Sequence, residues 1–307
     1  LDNVIITALG LEKKEASLAY SIQKVKGEEL TRMKEVNMIT ALAGKAAGVQ
    51  INKNSSGIGG SAKVSLRGIR SASGDNQPLY VIDGVPMLNI GTEQAYSAIG
   101  GTANAGNRDG GDGISNLNPE DVESISILKG APAAALYGSQ AANGVILITT
   151  KKGNTAGQRN IHFSTGLTFD KAFSLPKMQN CYGVSDVVDS WGEKTYLPTS
   201  NELNDFFRTG LTSITSVSVN YGNEKIQTYF SYANTTGRGI VDKNQLTKHN
   251  INLRETAVMF NQRLKLDGNV NVMRQIVKNK PVSGGFYMNP LVGLYRFPRG
   301  EDLSYYK

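Results

Sequence analysis

Apolar and polar residues alternate along five stretches in the second half of the chain. A period of two places successive side chains on opposite faces of a β-strand, so each stretch predicts a strand with one apolar face. Each stretch approaches the ~9–11 residues that a tilted membrane-crossing strand requires. The alternating apolar positions are Ile161, Phe163, Leu167 and Phe169; Val217, Val219 and Tyr221; Ile226, Phe230 and Tyr232; Ile251 and Leu253; and Leu264, Leu266, Val270 and Val272. This pattern is typical of antiparallel barrel strands with lipid outside and a polar lumen inside.

The connections between the five predicted strands alternate in length. Tight turns are predicted at residues 222–224 and 261–262, and longer connections at 172–211 and 235–246. Outer-membrane barrels have short periplasmic turns and long extracellular loops, so Cys181 and Trp191 are expected outside the cell. A soluble β-sandwich would also alternate, but five such strands behind a separate first domain favour the barrel.

The first half of the chain has the mixed pattern of a small α+β domain. An almost unbroken β-branched run at residues 144–150 is typical of a strand buried on both faces. In a second strand, at 122–128, Val122 and Leu128 are expected on the same face. Further strands are predicted at 49–51, 63–66 and 79–82, the last turned at Asp83-Gly84 and stopped by Pro86, and helical segments at 28–34, from Asn37 to Gly48, and at 132–137.

Composition narrows the possible functions. The net charge of +7 is dispersed along 307 residues, which disfavours nucleic-acid binding. The single cysteine excludes an intrachain disulfide and a zinc site built from thiolates, and two histidines predict no metal centre. The chain contains no run of 18 apolar residues, so the sequence predicts no membrane-spanning helix.

The motifs give no sign of catalysis. S-x-x-K occurs at Ser21 to Lys24 and at Ser126 to Lys129, but without the K-T-G that accompanies it in penicillin-recognising enzymes. The chain also lacks G-x-S-x-G, H-E-x-x-H and Walker motifs. We therefore expect a protein that is not an enzyme and uses no cofactor.

Two long segments carry a family resemblance. LRGIRSASGDNQPLYVIDGVPM at 66–87 and ALYGSQAANGVILITTKKG at 135–153 resemble the plug domain of SusC/RagA-family TonB-dependent outer-membrane transporters. The resemblance implies an α+β plug domain followed by antiparallel transmembrane β-barrel strands. It divides the chain into a TonB box and tether at 1–27, a plug at 28–153, and the first barrel strands and loops at 154–307. Because a plugged barrel of this kind needs roughly 22 strands, the chain is expected to be the N-terminal portion of a longer protein.

The first ten residues, LDNVIITALG, resemble a TonB box, although an ordinary edge strand is the alternative. Such a peptide binds by adding a strand to its partner, so its side chains can vary. The resemblance implies TonB, energised by ExbB and ExbD, as the partner. The predicted TonB-binding residues are Asp2, Asn3, Val4, Ile5, Ile6 and Thr7.

The resemblance implies active import of a glycan or an oligopeptide across the bacterial outer membrane, with a SusD-like surface lipoprotein. The alternative is a plugged-barrel receptor, signal transducer or scaffold that transports little. Loops of the plug are expected to contact substrate. The candidate residues are Ser73, Asp75, Asn76, Tyr96, Asn107 and Arg108. The cations Arg67, Arg70 and Lys129 are expected at the plug–barrel boundary or within the plug's own polar network.

Overall fold

A five-stranded mixed sheet forms the centre of the first half of the chain. The computed structural model describes residues 4–6, 12–14, 22–54, 56–71, 76–87, 109, 111–185, 190–194, 202–281 and 289–298. The strands of this sheet are β3 (Ile22–Lys26), β6 (Leu79–Ile82), β7 (Val85–Met87), β8 (Val122–Leu128) and β9 (Val145–Thr150). Their spatial order is β3-β8-β9-β6-β7, and only β6 and β9 are parallel among these pairs.

Strand β9 is central and buried on both faces, as its β-branched sequence predicts. Ile146 and Ile148 pack in one apolar cluster with residues that include Leu30, Met38 and Ile39. Val145 and Leu147 point to the opposite face and pack in a second cluster with Leu79, Val81 and Leu128. The sheet therefore has a core on each side.

The predicted faces of β8 are wrong at Val122. Val122 packs in the same cluster as Ile125 and Ile127, whereas Leu128 lies in the other cluster. The cause is an irregularity in the β8–β9 ladder between Val122 and Ser124, which adds one residue and reverses the alternation.

Helices are short in this domain. The predicted helix from Asn37 is wrong. Asn37 Oδ1 accepts a hydrogen bond from Ile39 N (3.1 Å), but only a 3₁₀ turn at Thr40–Leu42 follows before Gly44 takes a left-handed φ of 75°. Among the described residues, the α-helices of this domain are α1 (Gly27–Thr31) and α2 (Ala131–Tyr137), and α3 (Glu202–Phe206) and α4 (Pro290–Arg296) lie in the second half of the chain. None of the helices described is both long and apolar enough to span a bilayer.

Two small antiparallel pairs complete the first half. They are β1 (Val4–Ile6) with β2 (Glu12–Lys14), and β4 (Val49–Lys53) with β5 (Ala62–Leu66). The turn at Asp83-Gly84 forms as predicted, with φ angles of 48° and 88°. Contrary to the prediction, Pro86 does not stop a strand. It lies within β7, at an edge of the sheet, where a missing N–H is tolerated.

The second half forms one antiparallel meander, which we call the wall sheet. Its strands are β10 (Asn160–Asp170), β11 (Gly210–Gly222), β12 (Ile226–Arg238), β13 (Gln245–Met259) and β14 (Leu264–Lys278), paired in chain order. The two tight turns and the long connection after β10 are confirmed. The long connection predicted at 235–246 is wrong, because β12 continues to Arg238 and β13 starts at Gln245.

The two faces of the wall sheet reverse the arrangement of a soluble protein. Leu266, Val270 and Val272 are 53–60% exposed, as predicted for an outward apolar face. The buried side chains of the other face are largely polar and lie against the α+β domain. They include Thr212, Ser216, Ser231, Asn250, Asn252, Arg254 and Thr256. This is the distribution of a membrane barrel with a filled, polar lumen.

Candidate functional site

The contact surface between the α+β domain and the wall sheet is the candidate functional site. We call it the plug–wall interface, and it is built mainly from hydrogen bonds and ion pairs. Its contacts run along the wall strands, from the ends near the tight turns to the ends near the long connection. Polar side chains of β10–β14 and of the adjoining connections supply the wall side, and loops and strand ends of the α+β domain supply the other side.

Near the tight turns, a buried arginine joins both sides. Arg254 donates from Nε and Nη2 to the two carboxylate oxygens of Asp267 (2.9 and 2.8 Å), its neighbour on β14. From Nη1 it donates to Asp83 Oδ2 (3.0 Å) and Thr150 Oγ1 (2.6 Å) of the α+β domain. We call these four residues the Arg254 cluster. A cavity of about 210 Å³ adjoins the cluster and is lined also by Tyr137, Leu147 and Lys152.

In the middle of the interface, Glu120 meets a lysine and a wall serine. Its Oε1 lies 2.7 Å from Lys34 Nζ and accepts a hydrogen bond from Ser164 Oγ at 2.8 Å. Gly166 on β10 provides the space, because a Cβ there would lie 2.5 Å from Lys34 Cδ. Although burial raises the pKa of Glu120, the hydrogen bonds from Lys34 and Ser164 outweigh it and hold that pKa below the usual value.

The neighbouring Asp121 behaves in the opposite way. Its Oδ1 accepts a hydrogen bond from the hydroxyl of Tyr229 at 2.9 Å, and it is fully buried. Burial raises the pKa of Asp121 above its usual value, against the lowering effects of Ser231, Tyr229 and Lys151. The pKa values of these two adjacent carboxyl groups are therefore shifted in opposite directions, because of the two only Glu120 has a direct cationic partner.

At the other end, loops of the α+β domain rest on β13 and β14. Lys248 Nζ donates to Ser115 O at 2.5 Å, and Asn250 Nδ2 to Asn116 O at 2.6 Å. Asn244 Oδ1 accepts from Ile58 N at 3.0 Å. The connection between β4 and β5 is thus in contact with the wall at Ile58.

Asp109 anchors the same end. Its side chain accepts from Ser61 N (2.7 Å) and Gly111 N (2.8 Å), and its Oδ1 lies 3.5 Å from Lys280 Nζ. Burial raises the pKa of Asp109, but these two N–H groups and the charge of Lys280 bring it below the usual value. Burial lowers the pKa of Lys280 more than Asp109 raises it. The anchor therefore depends more on the backbone donors than on the lysine.

The structure places part of the predicted TonB-binding segment. Val4, Ile5 and Ile6 form β1, with Ile5 opposite Lys13 of β2. Asp2, Asn3 and Thr7 lie outside the described residues.

One of the six candidate substrate residues is described. Asn76 accepts from Arg70 N (2.8 Å) and Ser71 N (2.9 Å) and donates to Ser71 O (2.7 Å), so its amide holds its own loop together. The others lie outside the described residues: Ser73, Asp75, Tyr96, Asn107 and Arg108.

Arg67, Arg70 and Lys129 are predicted at the plug–barrel boundary or within the plug's own polar network, and two of them, Arg70 and Lys129, bind within the α+β domain as the second possibility states. Arg70 Nη1 donates to Ala142 O at 3.0 Å, and Lys129 Nζ donates to Gln23 Oε1 at 3.2 Å. Burial, followed by the charge of Arg67, lowers the pKa of Lys129. Cations that meet the opposite side of the plug–wall interface include Lys34, Lys248, Arg254 and Lys280, which sequence reasoning did not select. For Arg254 the sequence did hold a signal, because this residue occupies the polar face of the predicted strand that contains Ile251 and Leu253.

Comparisons with known proteins agree with this architecture. Residues 14–145 match the family described as TonB-dependent Receptor Plug Domain. TonB-dependent receptor SusC of Bacteroides thetaiotaomicron is 32% identical over 89% of this chain, which spans 26% of SusC. TonB-dependent receptor P26 of Formosa agariphila is 34% identical over 58% of this chain and 16% of its own length. A solved structure of the RagAB peptide transporter superposes with a TM-score of 0.69 at 22% identity, over 94% of this chain and 34% of that one.

These findings define a plug domain together with strands of the barrel that surrounds it. Residues 14–145 form a TonB-dependent receptor plug domain, and the chain is similar over most of its length to SusC/RagA-like TonB-dependent transporters. It spans about a quarter of the length of SusC. From here on the α+β domain is called the plug.

Replacing Asp121 with asparagine should leave the full-length protein as stable at neutral pH or make it more stable. A raised folded-state pKa means that folding favours the protonated form, so stability falls as pH rises from the unfolded towards the folded pKa. Asparagine removes that loss and can still accept from Tyr229. Thermal unfolding in detergent at several acidic and neutral pH values measures both effects.

The matched control is Glu120→Gln. The lowered pKa of Glu120 gives stability that is present above its unfolded pKa and disappears as pH falls through the folded one. Glu120→Gln should therefore lower the stability at neutral pH by about 1–3 kcal/mol, because Lys34 loses its charged partner. Equal losses in the two variants would contradict the assignment.

Proposed function

We propose that the full-length protein imports a nutrient, a glycan or an oligopeptide, across the bacterial outer membrane by a TonB-dependent mechanism. The observation that carries the proposal is the polar plug–wall interface. Hydrogen bonds between protein groups can be exchanged for hydrogen bonds to water at a small net cost, whereas separating an apolar interface exposes apolar surface. A plug held in this way can be displaced within a wet lumen and can return.

Each of the three segments of the chain has its own proposed role. Residues 1–27 couple the protein to TonB with ExbB and ExbD, residues 28–153 block the lumen, and residues 154–307 supply the first strands and loops of the barrel. The strand pairing of β1 supports the first assignment, because a segment that forms a strand in this chain can also add as a strand to a partner.

The substrate class and the second partner are proposed from the relatives. RagAB is a peptide importer, and SusC is a TonB-dependent receptor. We propose a SusD-like lipoprotein that covers the extracellular mouth, and a substrate that contacts the candidate residues Ser73, Asp75, Asn76, Tyr96, Asn107 and Arg108. Lipid of the outer membrane would contact the exposed apolar face of the wall sheet.

Uptake measurements in the native host test this function. Deletion of the full-length gene should abolish entry of labelled members of either an oligopeptide panel or an oligosaccharide panel, and the restored gene should recover it. A protonophore should stop the uptake while leaving binding at the cell surface. Uptake unaffected by deletion or by the protonophore would contradict import, and a transcriptional response to the ligand without uptake would favour a receptor.

A further inference from the structure

One guanidinium connects three separate segments of the chain. Arg254 belongs to wall strand β13, Asp267 to wall strand β14, and Asp83 and Thr150 to the ends of plug strands β6 and β9. The Arg254 side chain is 5% exposed. An arginine forms such contacts better than a lysine, because its planar fork presents donors in two directions at once.

The plug side of the cluster is itself rigidly built. Asp83 lies in the left-handed turn between β6 and β7, and its Oδ1 accepts from Thr150 N at 3.0 Å. Its Oδ2 accepts from both Thr150 Oγ1 (2.5 Å) and Arg254 (3.0 Å). Arg254 therefore holds the ends of two plug strands together, at the point where the chain leaves the plug.

The cavity beside the Arg254 cluster lies at the plug–wall interface, and Arg254 forms part of its lining. It lies between the plug strand β9 and the wall, and Arg254, Asp83, Asp267 and Lys152 line it with plug residues such as Leu147 and Thr149. The lining contains two cationic and two anionic side chains, so the site favours neither sign of ion. Shortening Arg254 would join its own volume to the cavity and break the hydrogen bonds that cross from wall to plug.

We propose that Arg254 is a positioning residue that keeps the plug–wall interface closed to solutes when the protein is at rest. The proposal rests on the proposed function in one respect, that the plug blocks a barrel lumen. It goes beyond that function because it assigns the permeability barrier at this end of the interface to one wall residue. Its partners predict the order of effects, with loss of Arg254 more severe than loss of Asp267, since Asp83 still binds the arginine in the second case.

The experiment uses the full-length protein with Arg254→Met, Arg254→Lys and Asp267→Asn. The matched control is Arg208→Met. Arg208 also donates to a carboxylate, Asp242 (2.8 Å), and to the backbone oxygens of Gly239 and Asn244, but these partners all lie in the connection between β12 and β13, and its side chain is 31% exposed. Sensitivity of cells to vancomycin, which an intact outer membrane excludes, is measured at equal outer-membrane levels of each variant. Ion conductance of each purified variant in planar bilayers is measured in parallel.

Arg254→Met should raise both vancomycin sensitivity and conductance several-fold, with Arg254→Lys and Asp267→Asn intermediate and Arg208→Met equal to wild type. Wild-type exclusion and conductance in Arg254→Met would overturn the proposal. If that variant does not reach the membrane, wild-type behaviour of both Arg254→Lys and Asp267→Asn overturns it. The readouts need no import, so wild-type protein that fails to import while Arg254 variants leak contradicts the proposed function alone.

Discussion

Replacing Ile5 with proline is expected to abolish nutrient uptake by the full-length protein while leaving substrate binding intact. Ile5 is the middle residue of β1. Proline removes its backbone N–H and fixes φ, so a partner can no longer form a continuous ladder along this segment. Substrate binding should persist, because the proposed substrate loops lie elsewhere in the chain. Uptake by cells and binding to purified protein are compared at equal outer-membrane levels.

The hairpin supplies two controls for the Ile5 experiment. Ile5→Ala keeps the backbone donor and should retain most uptake. Lys13→Pro places the same change on β2, opposite Ile5, and breaks the hairpin without altering β1. It should retain uptake if TonB needs β1 alone. Normal uptake by Ile5→Pro would show that β1 is not the coupling strand, and equal loss in Lys13→Pro would show that the hairpin itself is required.

Gly153→Ala is expected to lower the amount of folded protein in the outer membrane sharply. Gly153 lies where the chain passes from the plug to the wall, and a Cβ there would lie 2.3 Å from Thr228 N and 2.5 Å from Gln227 C. These are backbone atoms of β12, so the strand or the linker would have to move. Overpacking of this kind costs about 1–3 kcal/mol, and a rigid backbone neighbour places this site at the upper end.

Gly268→Ala is the matched control for Gly153. Gly268 is also a glycine of the wall region, in β14, but an added Cβ meets no other group within 4 Å among the described residues. Quantitative outer-membrane fractionation and thermal unfolding in detergent should separate the two variants. Similar levels and unfolding temperatures of the two variants would contradict the prediction, because the linker at Gly153 could then move away from β12 without loss of stability.

Local sequence signals predicted the wall better than the plug. The period-two pattern placed Leu266, Val270 and Val272 on the exposed face, because alternation depends only on neighbours in the strand. The helix expected after Asn37 failed where Gly44 takes a positive φ, and the faces of β8 failed at an inserted residue near Val122. Both failures come from single-residue irregularities that a periodic pattern does not record.

The contacts of the plug–wall interface could not be predicted in the same way. Arg254 and Asp83 are 171 residues apart, and nothing in either local sequence specifies the other as its partner. Asp121 and Tyr229 are likewise 108 residues apart. Glu120 and Asp121 occupy a 3₁₀ turn capped by Asn118, a local role that a sequence can indicate, but the same side chains also bind the wall. Only the polar face of β13 signalled that a hydrated or polar partner lies opposite.

The reversed faces of the wall sheet have a consequence for biogenesis. The outer surface of the plug faces polar side chains of the wall, which include Ser216 and Asn250. A surface that suits polar side chains is also well solvated by water. The part of the plug surface that contacts the wall therefore does not need the wall to cover an apolar patch. The wall strands have one apolar face that suits lipid and one polar face that can form hydrogen bonds with water or with the plug, so the polar interface permits the plug to fold before the strands enclose it.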